Sequence, residues 1–304
     1  MDHGLSVGML PLSMWDESMK MDFIHIGFHK TASTYLQSKV FPAVENLDVI
    51  NHRDVNADQW FYNRFIHVDA HAFNKEVFLN EFAKIVPDRI SGSPNPIYAI
   101  SEENLSGDIY TGLESRELML RLRDVFGQPR ILIVIRNQID FILSAYGNHV
   151  IHGGTESIAR WLDGEETRFG RILNKVKYSS LIKDYKSVFG DGQVFVIQYE
   201  KLFDETSGIA AFLSTFGLSC CSVQQERINP GRSLKGNHLL SLLNKAGLGS
   251  VRGRQLFFHR FFKEDGSDRE YVMRLLDNRM PEIYADNREV EAMLGTNLDS
   301  SYFY

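Results

Sequence analysis

The sequence predicts an α/β domain built on a central parallel sheet, and three observations carry that expectation. Five short apolar, β-branched runs occur, at Phe23–Gly27, Leu47–Asn51, Ile97–Ser101, Ile131–Ile135 and Val194–Gln198. Runs such as ILIVI at 131–135 show no polar alternation, as expected of strands buried on both faces of a parallel sheet. The stretches between the runs leave room for the crossover helices that parallel neighbours require.

Taken in order, residues 1–20 lack a basic region and a continuous apolar segment, which makes them a poor signal peptide and an expected flexible leader. Residues 21–304 are expected to form one domain, because no Pro/Gly/Ser-rich linker, repeat or low-complexity segment divides them. The first run passes through Gly27 into FHKTAST and then a helix supplied with apolar residues by Tyr35, Leu36, Val40 and Phe41. Residues 54–90 are rich in aromatics, histidine and Asn/Asp without a clean period, and are expected to be an insertion over the sheet. From Gly236 the pattern is mainly helical. Within Pro281–Leu294 the sequence Asp286-Asn-Arg-Glu289 has capping-box spacing and predicts the start of a final helix.

Bulk properties narrow the function. The formal net charge of −6 offers no general attraction to nucleic acid. Cys220 and Cys221 are the only cysteines, which excludes a disulfide scaffold and fits a reducing, cytoplasmic setting. Two packed thiols are a better expectation than a redox pair. No run approaches the ~18 apolar residues of a membrane span, and no His/Cys/Asp cluster has metal-ligand spacing.

Ligands of open α/β sheets collect beyond the carboxyl ends of the strands. That rule selects the segments after Gly27, Ser101 and Ile135. The first joins a lysine, Lys30, to the hydroxyls of Ser33 and Thr34 at a helix start, a set suited to a phosphate. An ordinary capped helix with a surface lysine is the competing reading. The spacing lacks the second glycine and following lysine of an ATP-binding loop, so a triphosphate fits poorly. After Ile135, Arg136 leaves a buried strand and Ser144 follows about two turns into a helix, roughly 10 Å along its axis. The two could share one anion. An Arg136–Asp140 ion pair is the alternative.

HIGFHKTASTYLQ resembles the 5′-phosphosulfate loop of PAPS-dependent sulfotransferases, written PKSGTT or PKTGTTxLQ. Lys30, Thr31, Ser33 and Thr34 match, whereas His29 stands in place of proline and Ala32 in place of glycine. Alanine permits close backbone approach but gives up easy access to positive φ. IRNQIDFILSAYG is similar to the family's 3′-phosphate motif, R-[ND]-P-x-D-x-x-x-S-x-Y, with Gln138 replacing proline. Weaker similarity follows at Lys177–Leu202, at Ile228–Leu240 and in the final YADNREVEAMLGTNL, so that residues 22–298 are covered in order.

This resemblance implies a three-layer α/β/α fold with a P-loop-like phosphosulfate loop after the first strand. It implies that His29, Lys30, Thr31, Ala32, Ser33, Thr34 and Tyr35 hold the 5′ end of PAPS, that Arg136 and Ser144 hold its 3′-phosphate, and that Arg232 and Ser233 close over it. PAPS would then be the co-substrate and PAP the product, with no metal.

Transfer to a hydroxyl needs a base, because an alcohol ionises far above neutral pH. Glu102 and Glu103 follow the third strand, and either could serve. Family members directed at carbohydrates often place glutamate here, which tilts the acceptor toward a carbohydrate or another hydroxylated small molecule. Lys30 would stabilise the departing bridging oxygen. Two solvated loop acids are the ordinary alternative. His149 and His152 could line the acceptor cleft but read more readily as surface residues, and RGRQLFFHRFFK (Arg252–Lys263) reads equally as acceptor contact or packed helix. The rival functions are a P-loop kinase or NTPase and a non-catalytic domain that binds 3′-phosphonucleotides.

Overall fold

The computed structural model describes residues 20–51, 60–85, 96–163, 172–220, 233–247 and 266–303. The strands are β1 (Phe23–His25), β2 (Leu47–Asn51), β3 (Ile97–Ser101), β4 (Arg130–Ile135) and β5 (Val194–Gln198). All pair in parallel, in the order β2-β3-β1-β4-β5. The expected runs are therefore the strands, except that β1 ends at His25 and leaves Ile26 and Gly27 in the loop. Ile26 N still donates to the Leu132 carbonyl at 3.1 Å.

The unbroken apolar character of β4 has its reason in two separate cores. Ile131, Ile133 and Ile135 join one cluster, while Leu132 and Val134 join the other on the opposite face. Each such side chain contributes about 1.5–3 kcal/mol through burial, and a polar residue at any of them would face apolar atoms on either side.

A short helix α1 (Ser33–Tyr35) follows the first loop, and the longer helices are α2 (Lys75–Ile85), α3 (Ser115–Phe126), α4 (Gln138–Ile151), α5 (Tyr178–Phe189), α6 (Leu234–Lys245), α7 (Gly266–Leu275) and α8 (Met280–Leu294). The helix after the first loop is not uniform. α1 passes into a π turn at Leu36–Val40 and a 3₁₀ turn at Phe41–Ala43, where Pro42 removes a backbone donor. Of residues 54–90, those described form a π turn at Tyr62–Ile66 and α2. Their rings stack, Phe61 on Phe65 and Phe78 on Phe82, and close on Phe126 of α3. The segment is an aromatic cover on one core.

The final helix corrects the sequence reading. α8 begins at Met280, with Pro281 in its first turn, so Asp286 lies inside it and opens nothing. Asp286 instead caps a different helix. Its carboxylate accepts from Tyr178 N at 2.8 Å and Ser179 Oγ at 2.6 Å, at the start of α5. The donors that a capping aspartate satisfies are there, supplied through space.

Strand order positions the chemistry. β1 lies between β3 and β4, so the segments after His25, Ser101 and Ile135 emerge side by side at the carboxyl edge.

Candidate functional site

The loop from Gly27 to Thr34 turns tightly. Lys30 and Ala32 both adopt left-handed backbone conformations, at φ 66° and 67°. Alanine thus takes the conformation that glycine would take more easily, at a cost of about 1–2 kcal/mol. The Thr31 hydroxyl donates to the Phe28 carbonyl and pins the turn, and the Ala32 carbonyl accepts from Tyr35 N at 2.8 Å and Leu36 N at 2.9 Å. Ser33 Oγ is buried and has no hydrogen-bond partner among the described residues. Thr34 is half-buried, and Tyr35 packs edge-on against Phe203.

Lys30 Nζ donates to Asn148 Oδ1 on α4 at 2.9 Å. A neutral amide holds the ammonium, so its charge is not cancelled by that contact. Burial lowers the Lys30 pKa, Glu103 opposes the change and Arg136 adds to it. His29 is buried, with Nε2 3.1 Å from Asn104 Oδ1 and Nδ1 without a partner among the described residues. Burial pushes its imidazole down to about 4, against the pull of Glu103. The residue standing where the resembled motif has proline is therefore a bridge to the segment after β3.

The two glutamates differ. Glu102 is buried, and its Oε1 accepts from Asn104 N at 3.0 Å and Asn104 Nδ2 at 2.6 Å, capping a 3₁₀ turn at Glu103–Ser106. Glu103 is half-exposed and acts electrostatically on both Lys30 and His29.

Arg136 directly follows β4, its guanidinium 4.7 Å over the Tyr199 ring. Nη1 donates to the Lys30 carbonyl at 3.1 Å, and Nε is buried without a partner among the described residues. The expected alternative partner, Asp140, pairs with Arg269 at 2.9 Å. Ser144 sits half-buried on α4, and no hydrogen bond joins it to Arg136. Asn137 caps α4 by accepting from Ile139 N and Asp140 N, and donates from Nδ2 to the Ser301 carbonyl, which also accepts from Arg269 at 3.2 Å. Gln138 is buried and bonded to Asn287 of α8. Ser233 caps α6 through Gly236 N at 3.3 Å. Arg232, Cys221 and the Arg252–Lys263 stretch lie outside the described residues, as do 1–19.

Sequence reasoning missed Lys175. It occurs in LNKVK, which reads as a solvent-facing helix end, yet it is buried. Its ammonium donates to the Ser106 carbonyl and, at 3.1 Å, to the Ser106 hydroxyl, and lies 4.8 Å over the Phe28 ring. Burial pushes its pKa down to about 7, with Asp108 opposing. Lys175 thereby touches both the loop before His29 and the turn carrying Glu103. Beside it is a cavity of about 150 Å³ whose polar lining includes Thr111, Ser115, Asn174 and Ser180. No group of His, Cys, Asp or Glu among the described residues is placed to hold a metal ion. No helix among them is long and apolar enough to cross a membrane.

No family model matches the chain, and no curated protein matches it. Solved structures do. A sulfotransferase from Alicyclobacillus acidocaldarius superposes with a TM-score of 0.50 at 16% identity, over 93% of this chain and 98% of that one. A sulfotransferase domain from the curacin biosynthetic pathway gives a TM-score of 0.40 at 12% identity, over 92% and 99% of the two chains. The first of these shows that the chain has the fold of a bacterial sulfotransferase, an α/β fold with a five-stranded parallel sheet.

Proposed function

We propose that this protein is a PAPS-dependent sulfotransferase acting on a hydroxyl acceptor. The observation that carries the reading is the pairing of two cationic anchors in the segments that follow neighbouring strands. Arg136 holds the loop that carries Lys30, and the two segments carry Ser33 Oγ and Arg136 Nε, buried polar groups that have no partner among the described residues. Buried groups of this kind normally find a partner, and the phosphosulfate and 3′-phosphate oxygens of PAPS would satisfy both. The resemblance read in the sequence names the same residues, His29 to Tyr35 for the 5′ end and Arg136 with Ser144 for the 3′-phosphate.

PAPS supplies the activated sulfo group. In this reading Lys30, held by an uncharged amide, stabilises the negative charge that grows on the bridging oxygen as the S–O bond breaks. A contact of that type is worth about 3–4 kcal/mol. Glu103 takes the acceptor proton as the acceptor oxygen attacks sulfur. Glu102 is the poorer candidate, because its carboxylate already caps Asn104. Arg136 discriminates, since a nucleotide without a 3′-phosphate leaves its guanidinium unmatched. A glutamate base after the third strand, as carbohydrate-directed members of the resembled family often have, supports a carbohydrate or another hydroxylated small molecule as acceptor.

The test is transfer of radiolabelled sulfate from PAPS across a panel of hydroxylated acceptors, with Lys30→Ala as the control. Transfer by the wild type and its loss in the variant are expected. Tight binding of ATP with magnesium alongside indifference to PAP would remove the proposal.

A further inference from the structure

Beneath the cradle, Gln37, Ser101 and His25 form a line of buried polar side chains that the mechanism above does not use. They come from the π turn, the end of β3 and the end of β1. Gln37 Nε2 donates to the Ser101 carbonyl at 2.9 Å and to the Ser101 hydroxyl at 3.1 Å. A carbonyl can only accept, which fixes the Gln37 amide with its nitrogen toward Ser101. His25 Nδ1 lies 2.8 Å from the same hydroxyl. Having accepted from Gln37, that hydroxyl still has one proton to give, and Nδ1 is placed to receive it. In that arrangement the imidazole proton is on Nε2. Burial keeps the ring neutral, pushing its pKa down to about 3.

That Nε2–H is fully buried and has no partner among the described residues. An unmet donor in such a position is costly. It faces Gly27. A Cβ built on Gly27 would fall 2.7 Å from His25 Nε2 and 2.7 Å from Ser33 Oγ, the other unpartnered group of the loop. The two therefore converge across the position in the loop that carries no side chain, near enough for a single oxygen to bridge them.

We propose that His25 is an oxyanion-binding residue of the cradle, its Nε2–H and the Ser33 hydroxyl donating together to one oxygen of a bound tetrahedral oxyanion. The identity of that anion as the 5′-phosphate end of PAPS or PAP rests on the sulfuryl-transfer reading; its chemical class does not. Gln37 and Ser101 are positioning residues that lock the donating tautomer. Because Ser101 directly precedes Glu102 and Glu103, the same bonds tie the cradle to the segment that carries the base.

The experiment combines ¹⁵N-histidine NMR of the wild type with calorimetric titration of PAP and of adenosine 3′-phosphate, which lacks the 5′ group. The His25 ring should be neutral and Nε2-protonated from about pH 5 to 8, and its Nε2 proton should shift with PAP but not with adenosine 3′-phosphate. His25→Leu should weaken PAP about tenfold, the effect of losing one hydrogen bond to a charged group, and leave adenosine 3′-phosphate unchanged. His25→Gln, which keeps a donor, should recover part of the loss. An Nδ1-protonated ring, unchanged PAP affinity in a folded His25→Leu protein, or equal losses for both nucleotides would overturn the assignment. Should His25→Leu fail to fold, the wild-type spectra decide alone. Should the wild type bind neither nucleotide, the sulfuryl-transfer reading falls. Titration with inorganic sulfate then decides for His25, a shifted Nε2 proton supporting it and an unmoved one refuting it.

Discussion

Arg136 donates to the carbonyl oxygen of Lys30 at 3.1 Å, so the residue that follows β4 also holds the loop that follows β1. Two cations are kept close by this contact, and Lys30 responds, its pKa lowered in part by Arg136. Such a pair attracts an anion more strongly than either member alone, because ligand binding relieves their mutual repulsion.

The first prediction concerns nucleotide choice. Arg136→Met should weaken PAP by about tenfold or more, the loss expected for a charge-assisted hydrogen bond, while 5′-AMP changes much less. Calorimetry with the two nucleotides measures this. Equal losses would mean that Arg136 acts by bracing the Lys30 loop and not by reading the 3′-phosphate.

Ala32 gives a stability prediction. Its φ of 67° is a conformation that glycine adopts without a Cβ clash. Ala32→Gly should raise stability by about 0.5–1 kcal/mol, the strain relieved less the entropy lost by glycine. Ala32→Val, with a branched side chain, should lower it. Thermal melts of the two variants should move in opposite directions.

The glutamates should separate under substitution. Glu103→Gln should lower kcat about a hundredfold or more, the usual contribution of a general base, with PAP affinity unchanged. Glu102→Gln should instead lower the melting temperature, because it weakens the cap on the 3₁₀ turn. The reverse pattern would transfer the base role to Glu102.

Lys175 predicts a pH dependence with a definite sign. Its pKa is depressed from 10.5 to about 7 on folding, so between those values the unfolded chain holds a proton that the folded protein has lost. Stability from this group is complete above the unfolded pKa and is lost progressively as pH falls from there to about 7. Denaturant melts from pH 7 to 9 should show a rise approaching 1 kcal/mol per pH unit from this source. Lys175→Met should remove that slope. A slope that survives the substitution would assign it to another group.

Much of the fold was legible in the sequence because its signals are local. ILIVI announces a strand with a core on each face, and the glycine–lysine–hydroxyl order marks a turn into a helix beyond a strand end. The departures from the resembled motifs were visible, but their compensations were not. His29 bonds Asn104, Gln138 bonds Asn287, and Ala32 absorbs backbone strain; the two bonds are made by residues far away in the chain. Asp286 misled for the same reason. It is a capping residue, but the helix it caps begins at Tyr178, and sequence spacing sees only the neighbours of a residue. His25 and Lys175 were invisible because one polar residue in an apolar run, or one lysine near a helix end, shows its burial only after the sheet has closed around it.

The contact of Asn137 with the Ser301 carbonyl bears on how the molecule can be handled. That carbonyl steadies the residue next to Arg136, while the carbonyl of Tyr302 is gripped by Asn287 at 2.7 Å. Force transmitted to Ser301 and Tyr302 would therefore pull on this clasp and reach the residue beside the arginine. A fusion placed beyond these residues needs a compliant spacer to keep its load off the anchor.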